Sequence, residues 1–420
     1  MREIDGYDVV VVGGGMGGAA AAVAAGRSGA KTLLIEREGC LGGGATTMLV
    51  HPFMPYRTHG PAKRAANAGL FAELVRRLQA RGEADEGDGR HFNDEGMKVV
   101  LDEMAAEAGV TVLFHAALFD AEVDGERVTA VRLAHNGGPI RVSGSVFLDG
   151  TGDGLLAERA GCEIEIGDEQ GNVMPMTLNF VLGGVDRKRF EDANREKSLR
   201  ERCRDGDADE PALINTHFSC GAFSPDGLLR LNQVRTPGDT LDPMDLSQCE
   251  IEGRRRVQNF VVWARANVPG LEKCWLAKTG PHVGIRESRR VMGDYVLTLD
   301  DFQAAAKFDD AVACCTYPVD KHNQAANDTT FYHLEGDEFY QIPYRCLVPR
   351  GRENLLLACR AISADVYAHA SFRIMPPVMN LGEAAGLAAA MSLPGGDVRT
   401  IDTVALQERI RAGGGLLEPA

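Results

Sequence analysis

Short runs of apolar residues open the chain and predict alternating strands and helices. Residues 7–12 are mainly apolar and β-branched, which is typical of a strand buried on both faces of a parallel sheet. The alanine-rich residues 19–27 predict a helix packed closely on that sheet, and residues 31–35 predict the next strand. Together they predict a β-α-β unit with two parallel strands.

Residues 94–108 carry apolar side chains at helical spacing, with Asn93 as the predicted N-cap and Gly109 as the predicted end. Turn signals separate the strands that follow and predict a β-meander. These further strands are predicted at residues 110–114, 121–132, 140–142 and 145–148.

Glycines follow the first predicted strand at once, in the pattern G-x-G-x-x-G at Gly13, Gly15 and Gly18. The first allows a tight turn, the second lets the backbone approach a pyrophosphate, and the third lets helix and strand pack closely. The helix N-terminus favours an anion through its free N–H groups and its dipole. Glu36 ends the second strand and can accept hydrogen bonds from ribose hydroxyls. We therefore predict a dinucleotide site.

Two more glycine-rich segments are expected beside this site. Residues 37–47 contain a second glycine cluster, which favours a cofactor larger than a nicotinamide dinucleotide. Residues 149–154, Asp-Gly-Thr-Gly-Asp-Gly, directly follow a predicted buried strand. Towards the C-terminus, residues 354–358 predict a strand that returns to the first sheet, and residues 381–391 predict a helix of small residues.

In residues 9–47, 146–160, 284–295 and 342–390, the chain resembles the FAD-dependent oxidoreductases of the glutathione-reductase-like superfold. The resemblance implies the α/β class: a Rossmann-like FAD-binding domain, with a parallel sheet and a β-meander, plus an inserted α+β substrate domain. The expected divisions are an FAD-binding domain at 1–165 and 341–412, a substrate or cap domain at 166–340, and a flexible tail at 413–420.

The resemblance also implies FAD as the cofactor. Reduction places negative charge at N1 and the C2 carbonyl of flavin, which the N-terminal end of the last predicted helix would stabilise. One departure is Cys359, where the family has glycine; we interpret it as a small buried filler, with a reactive thiol as the alternative. The implied FAD-binding residues are Gly13, Gly15, Met16, Gly17, Gly18, Glu36, Arg37, Gly42, Gly43, Ala45, Thr46, Leu118, Thr151, Gly152, Asp153, Arg360, Met375 and Val378.

Hydride transfer to flavin needs a substrate C–H held over the ring and a base for the departing proton. Histidine suits the base because its pKa lies near neutrality, although a polar role in a loop is an equally simple interpretation of each histidine. His51 is also a candidate for covalent flavin attachment. The catalytic candidates are His369, Arg373, His51 and His322, and the substrate-binding candidates are Arg286, Tyr344 and Tyr317.

The main hypothesis is hydride transfer between flavin N5 and a small polar organic molecule, such as a hydroxy compound, a sugar-like alcohol or an unsaturated acid. Residues 165–345 contain no second G-x-G-x-x-G, so electrons are expected to pass to oxygen, a quinone or a partner protein. The alternatives are a monooxygenase that uses NAD(P)H at a shared site, a non-catalytic FAD-binding or electron-transfer subunit, and an NAD-only dehydrogenase.

Composition narrows the picture further. With 45 Lys and Arg against 60 Asp and Glu, the net charge of −15 makes nucleic-acid binding a poor expectation. The 420 residues contain no long apolar run and no signal-peptide pattern, so we expect a cytoplasmic protein without integral membrane association. The ten cysteines lie without a C-x-x-C pattern, which predicts reduced thiols and no metal site. The oligomeric state stays open.

Overall fold

A seven-stranded sheet forms the centre of the first lobe. The computed structural model describes residues 1–205, 217–219, 227–323 and 329–420. The strands of this sheet are β1 (Arg2–Val12), β2 (Thr32–Ile35), β3 (Thr111–Leu113), β4 (Ala117–Asp124), β5 (Arg127–Ala134), β6 (Ile140–Asp149) and β17 (Leu355–Leu357).

These strands follow the order β3-β2-β1-β6-β5-β4, and β17 also pairs with β6. Pairs among β1, β2, β3, β6 and β17 are parallel, whereas β4, β5 and β6 form an antiparallel meander. The four valines Val9–Val12 are almost completely buried, because sheet strands flank β1 on both sides and helices cover it. The predicted α/β fold class, with a parallel sheet and a β-meander, is confirmed.

Helices pack on this sheet and place its ligand-binding edge. The first-lobe helices are α1 (Met16–Arg27), α2 (Leu70–Ala80), α3 (Asp94–Glu107), α4 (Leu155–Arg159), α9 (Val366–Phe372), α10 (Met375–Ser392) and α11 (Thr403–Ala412). Asn93 caps α3 by accepting a hydrogen bond from the Glu95 N–H, as its sequence position predicts.

Glycines let α10 lie directly against α1. A Cβ atom on Gly382 would lie 2.0 Å from the Gly17 carbonyl oxygen, and one on Gly386 would lie 2.2 Å from that of Ala21. No side chain larger than hydrogen fits between the two backbones at these points. This approach brings the N-terminal end of α10 beside the glycine-rich turn between β1 and α1.

The second lobe has a separate hydrophobic core. Its sheet consists of β8 (Met176–Gly183), β9 (His217–Ser219), β10 (Leu229–Thr236) and β11 (Trp275–Thr279). These strands pair antiparallel in the order β11-β8-β10-β9. The long helix α7 (Pro243–Asn267) packs on the sheet, and α5 (Arg187–Glu196) and α6 (Leu199–Asp205) follow β8 in the chain.

Three small strand pairs complete the described structure. They are β7 (Ile164–Ile166) with β12 (Arg289–Val291), β13 (Ala311–Cys315) with β16 (Tyr340–Pro343), and β14 (Val319–His322) with β15 (Thr329–Tyr332). The helix α8 (Leu299–Gln303) precedes β13.

The core of the first lobe extends into the region that the sequence assigned to the cap domain. Leu297, Val312 and Tyr340 are buried in the same core as Val9–Val12. The structure therefore differs from the predicted boundary at residue 340, because residues from about Val291 onwards pack on the first lobe. The apolar pattern of the sequence shows no break at the point where the chain stops packing on the second lobe and begins to pack on the first.

The last eight residues differ from the expected flexible tail. Ala65 and Ala420 exchange two backbone hydrogen bonds of 2.8 and 2.9 Å, and Leu417 is buried. The Gly414 carbonyl accepts a hydrogen bond from the Gly69 N–H, so this segment packs along the chain that leads into α2. Backbone pairing, which side-chain composition does not reveal, holds residues 413–420 in place.

The two lobes meet at the loop that follows β2. Asp94, at the start of α3, forms ion pairs of 2.5 Å with Arg230 of β10 and Lys278 of β11. Nearby, the Asn179 side chain of β8 donates a 2.7 Å hydrogen bond to the Met48 carbonyl. The second lobe is thus fastened both to α3 and to the loop around residue 48.

Two sequence expectations concern the whole chain. The nine described cysteines form no disulfide, and Cys220 lies outside the described residues. Among the helices of the described ranges, none has the length and apolar character needed to cross a membrane.

Glu383 of α10 is a buried carboxyl group that accepts a 3.1 Å hydrogen bond from the Leu70 N–H at the start of α2. Burial raises the pKa of Glu383 from 4.5 to about 7. A carboxyl whose pKa is higher in the folded state binds more protons there than in the unfolded chain. Its contribution to stability therefore falls as pH rises between these two values.

We expect Glu383→Gln to remove this pH dependence while keeping an acceptor for the Leu70 N–H. The free energy of unfolding of the variant should exceed that of the wild type by an amount that grows from about pH 4.5 to pH 7 and then stays constant. Denaturant unfolding at a series of pH values measures this difference. Glu408→Gln, at an exposed position of α11, is the control; a Glu383 difference independent of pH would contradict the prediction.

Candidate active site

Backbone conformation and close packing within the protein require several of the glycines in the turn between β1 and α1. Gly13 has a φ of +99°, and a Cβ on Gly18 would lie 1.9 Å from the Gly13 carbonyl oxygen. A Cβ on Gly17 would lie 2.2 Å from the Ala358 carbonyl oxygen. Internal packing thus accounts for the glycines at 13, 17 and 18.

Gly15 differs from its neighbours. Its φ is −63°, which any residue adopts, and the nearest protein atom to an added Cβ is the Gly150 oxygen at 3.8 Å. The protein leaves open space there, at the N-terminus of α1, where N–H groups and the dipole favour an anion. A glycine that packing does not require fits the close approach of a pyrophosphate.

Glu36 is buried at the end of β2 with both carboxylate oxygens held by backbone groups. Oε2 accepts a 2.6 Å hydrogen bond from the Gly14 N–H, and Oε1 accepts one of 2.9 Å from the Glu38 N–H. Each oxygen keeps a second lone pair for a ribose hydroxyl. The adjacent Arg37 lies on the rim, with its guanidinium 3.2 Å from the Glu38 carboxylate.

The second glycine cluster packs on the first, as its sequence position predicts. The Gly42 N–H donates a 2.9 Å hydrogen bond to the Gly14 carbonyl, and a Cβ on Gly43 would lie 3.0 Å from the Gly15 Cα. A short 3-10 helix, Gly43–Ala45, continues into Thr46, whose hydroxyl donates to the Leu41 carbonyl. This loop therefore borders the open space at Gly15.

The carboxyl ends of β6 and β17 bring a third group to the same edge of the sheet. Asp153 accepts hydrogen bonds from the Ser288 hydroxyl at 2.6 Å and from Arg360 at 2.7 Å. Thr151 donates its hydroxyl to Asp149 at 2.7 Å, and Gly152 lies against the Arg360 guanidinium. These hydrogen bonds fix the turn at the same edge of the sheet as the turn at Gly15.

The other predicted cofactor contacts occupy different positions. Met16 begins α1 and is buried, whereas Leu118 lies in β4 opposite Leu133. Cys359 is buried, and burial raises the pKa of its thiol to about 12. A protonated thiol is a poor nucleophile, which favours the interpretation of Cys359 as a filler.

The first turn of α10 begins at Met375, and the Val378 carbonyl lies close to Gly17. Pro376 and Pro377 have no N–H group, so Met375 is the only one of the first three helical residues that can donate. The Val378 N–H already bonds to the Ile374 carbonyl at 3.3 Å. Few backbone N–H groups are therefore free to donate to a ligand at this end of α10.

Asp320 of β14 is the centre of a buried polar cluster beside α9. Its Oδ2 accepts a 3.2 Å hydrogen bond from the Tyr317 hydroxyl, and its backbone carbonyl accepts one of 3.1 Å from Arg373. Burial opposes ionisation of Asp320. The hydrogen bond from His322 and the charges of Arg373 and Arg286 nevertheless hold its pKa below the ordinary value.

His322 is engaged at both ring nitrogens. The Arg235 guanidinium lies 2.5 Å from Nδ1, and Nε2 lies 3.5 Å from Asp320 Oδ1. Because a guanidinium can only donate, Nδ1 accepts and the proton sits on Nε2, towards Asp320. Burial and the charge of Arg286 lower the pKa of His322 well below 6.5, so it is neutral.

His369 of α9 is 1% exposed, and its Nδ1 has no hydrogen-bond partner among the described residues. Burial lowers its pKa well below 6.5, and the positive charges of Arg290, Arg373 and Arg360 add to this effect. The Arg373 N–H donates to the His369 carbonyl, so the two residues lie one helical turn apart, as their spacing predicts. A neutral imidazole with a free lone pair can accept a proton.

The arginines of the segment 284–295 have different surroundings. Arg290 is buried and forms a 2.5 Å ion pair with Glu287, which is a structural role. Arg286 instead donates Nη1 to the Pro175 carbonyl and to the Thr177 hydroxyl, both at 2.6 Å. Burial, together with the charges of Arg235 and Arg373, lowers the pKa of Arg286 to about 9.

Two of the candidates lie apart from this cluster. His51 Nε2 accepts a 3.1 Å hydrogen bond from the Phe92 N–H, and the Tyr344 hydroxyl donates at 2.8 Å to the Val398 carbonyl. Both side chains hold backbone segments together. The structure thus brings together His369, Arg373, His322, Arg286 and Tyr317 from the predicted set. It adds Asp320, which sequence analysis missed because nothing in its strand indicates a buried charge.

The family model for FAD dependent oxidoreductases matches residues 8–410. The chain therefore belongs to the FAD-dependent oxidoreductase family, and its cofactor is FAD. Curated protein sequences gave no significant match.

Solved structures show a distant overall similarity. A geranylgeranyl bacteriochlorophyll reductase-like protein from Thermoplasma acidophilum is 15% identical, with a TM-score of 0.47 over 98% of this chain and 84% of that one. The myxobacterial chondrochloren halogenase CndH is 14% identical, with a TM-score of 0.45 over 97% of this chain and 78% of that one.

Gly15→Ala and Gly18→Ala should separate cofactor binding from folding. The added methyl at residue 15 meets open space, so it should cost the apoprotein less than about 1 kcal/mol. It should raise the Kd for FAD at least about tenfold, because it occupies the space left for the pyrophosphate. Gly18→Ala should cost the apoprotein about 3 kcal/mol or more, because its methyl overlaps the Gly13 carbonyl.

Denaturant unfolding of the apoproteins and titration with FAD, followed by flavin fluorescence, give the two quantities. Unchanged FAD affinity in the folded Gly15→Ala protein would show that the cofactor does not pass over this residue.

Proposed function

We propose that this protein transfers a hydride between N5 of FAD and a carbon atom of a small polar organic substrate, as a dehydrogenase or oxidase. The observation that carries the proposal is the position of His369 and Arg373. Both lie on or at the end of α9, directly before α10, whose first turn packs beside the glycine turn at Gly17. This position supports a role for the two side chains near the cofactor edge.

FAD supplies the hydride acceptor or donor, and the protein supplies binding, orientation and proton handling. We assign the neutral imidazole of His369 to take the proton leaving a substrate hydroxyl or amine; because its unpartnered Nδ1 is enclosed, a local shift of α9 would have to open the path to it. Arg373 stabilises negative charge that develops on the substrate. Asp320 fixes Tyr317 and His322 around the same space.

The electrons taken from the substrate would leave the protein to oxygen, a quinone or a partner protein. We base this on residues 165–345, which lack a second G-x-G-x-x-G for a nicotinamide domain. A monooxygenase would instead take electrons from NAD(P)H at the same site, and a non-catalytic subunit would be reduced by neither class of compound.

The direct test is anaerobic mixing of the FAD-loaded protein with polyols, hydroxy acids and NAD(P)H, one compound at a time. We expect one organic compound to bleach the visible absorption of oxidised flavin. Deuterium at the oxidised carbon should slow this step, because the C–H bond breaks in it. Rapid bleaching by NAD(P)H alone would indicate the monooxygenase. Hydride transfer would be overturned if no organic compound bleached the oxidised flavin and none restored the absorption of the reduced flavin.

His369→Gln should slow flavin reduction by about 10²- to 10⁴-fold, the usual contribution of a general base. FAD content should stay unchanged. His135→Gln, at an exposed position of the β5–β6 turn, is the matched control and should reduce the flavin at the wild-type rate.

The pH dependence gives a second readout of His369. A base is active when deprotonated, and the pKa of His369 is lowered well below 6.5. The rate of flavin reduction in the wild type should therefore stay constant as pH falls to 6.5 and decline only at more acid pH. A decline centred at or above pH 6.5 would assign the base to another group.

A further inference from the structure

Arg286 is a partly buried cation that forms no direct ion pair with a carboxylate of the described residues. Among the residues that the structure describes, no carboxylate lies within ion-pair distance of its guanidinium. Its cationic neighbours differ in this respect, because Arg290 pairs with Glu287 and Lys321 with Asp168. A partly buried charge without a direct ion pair costs stability, so its retention points to a ligand.

The free edge of Arg286 is available to such a ligand. Nη1 is used twice, by the Pro175 carbonyl and the Thr177 hydroxyl. Nε and Nη2 have no hydrogen-bond partner among the described residues. Because the side chain is only partly buried, this edge of the guanidinium is open to a ligand. Nε and one terminal nitrogen form the side of a guanidinium that binds both oxygens of a planar carboxylate.

Arg373 adds a second cation to the same space. The charge of Arg373 lowers the pKa of Arg286 and that of Asp320 raises it, and Arg373 itself donates to the Asp320 carbonyl at 3.1 Å, so the three groups share one electrostatic environment. Arg373 reaches the Asp320 carboxylate only at 4.0 Å, and its buried Nε has no hydrogen-bond partner in the described residues. The site thus holds two under-neutralised guanidiniums around a single carboxylate, which favours a bound anion.

We infer that Arg286 and Arg373 bind a carboxylate of the substrate, so that the enzyme acts on an organic acid whose reacting carbon lies between these arginines and the flavin. This inference rests on the proposed function and narrows its substrate class. Arg286 binds through its free Nε–Nη2 edge, while the Pro175 carbonyl and the Thr177 hydroxyl keep that edge fixed.

The experiment measures binding without turnover, using propionate and its neutral analogue propionamide on the oxidised, FAD-loaded protein at constant ionic strength. We expect propionate, and not propionamide, to perturb the flavin absorption spectrum and to raise the Tm. Arg286→Gln should weaken propionate binding about 10- to 100-fold, and Arg286→Lys less, because it keeps the charge and loses the fork.

Arg254→Gln, an exposed arginine of α7, is the control for general charge and should bind propionate like the wild type. Arg286→Gln removes an unpaired charge, so we expect its Tm without propionate to be no lower than that of the wild type. If that variant fails to retain FAD, Arg286→Lys carries the same comparison.

Three results would overturn the inference. They are equal affinity for propionate in Arg286→Gln and the wild type, equal binding of propionamide, and binding of inorganic phosphate in place of propionate. A changed flavin midpoint potential with unchanged propionate affinity would assign Arg286 to the cofactor instead.

Failure of this inference is distinct from failure of hydride transfer. Propionate binding through Arg286, with no organic acid able to bleach the flavin, would leave the carboxylate site standing and remove hydride transfer. Bleaching by an uncharged alcohol, at a rate independent of Arg286, would do the reverse.

Discussion

The direct backbone contact between α1 and α10 is the constraint on which the rest of the structure depends. It needs hydrogen in place of a side chain at Gly17, Gly382 and Gly386, and it fixes where α10 begins. Because α9 ends only three residues before α10, the same contact sets the position of His369 and Arg373. A displacement of one helix would therefore move the cofactor turn and the polar cluster together, since packed interiors transmit strain.

Unlike the apolar core, the polar cluster contains charged groups whose pairing is incomplete. Asp320 is buried and Arg286 and Arg373 are partly buried, all with incomplete pairing, whereas Arg290 and Glu287 neutralise each other. Apolar or fully paired residues would give a more stable lobe here. Such a local loss of stability is characteristic of sites that await a ligand, and it distinguishes Arg286 from Arg290 within a single sequence segment.

Much of the first lobe was predictable, because its signals are local. The buried valines, the glycine spacing and Glu36 each specify a contact with near neighbours, and the sheet with its meander followed from them. The cluster was predictable only in part. His369 and Arg373 lie in and directly after one helix, but Asp320 comes from the distant strand β14 and Arg286 from the segment before β12, and sequence gives no sign that Asp320 is buried. Tyr344 and His51 resembled site residues, yet their partners are backbone groups at Val398 and Phe92.

The attachment of the second lobe to the loop after β2 has a consequence for ligand exchange. Asn179 holds the Met48 carbonyl, and the preceding loop residues Gly42 and Gly43 lie on the turn at Gly15. We expect a ligand bound at that turn to leave when this loop shifts, and the loop to shift when its bond to β8 opens. The dissociation rate of the cofactor therefore reports how often the two lobes separate, which makes it a kinetic measure of interlobe opening.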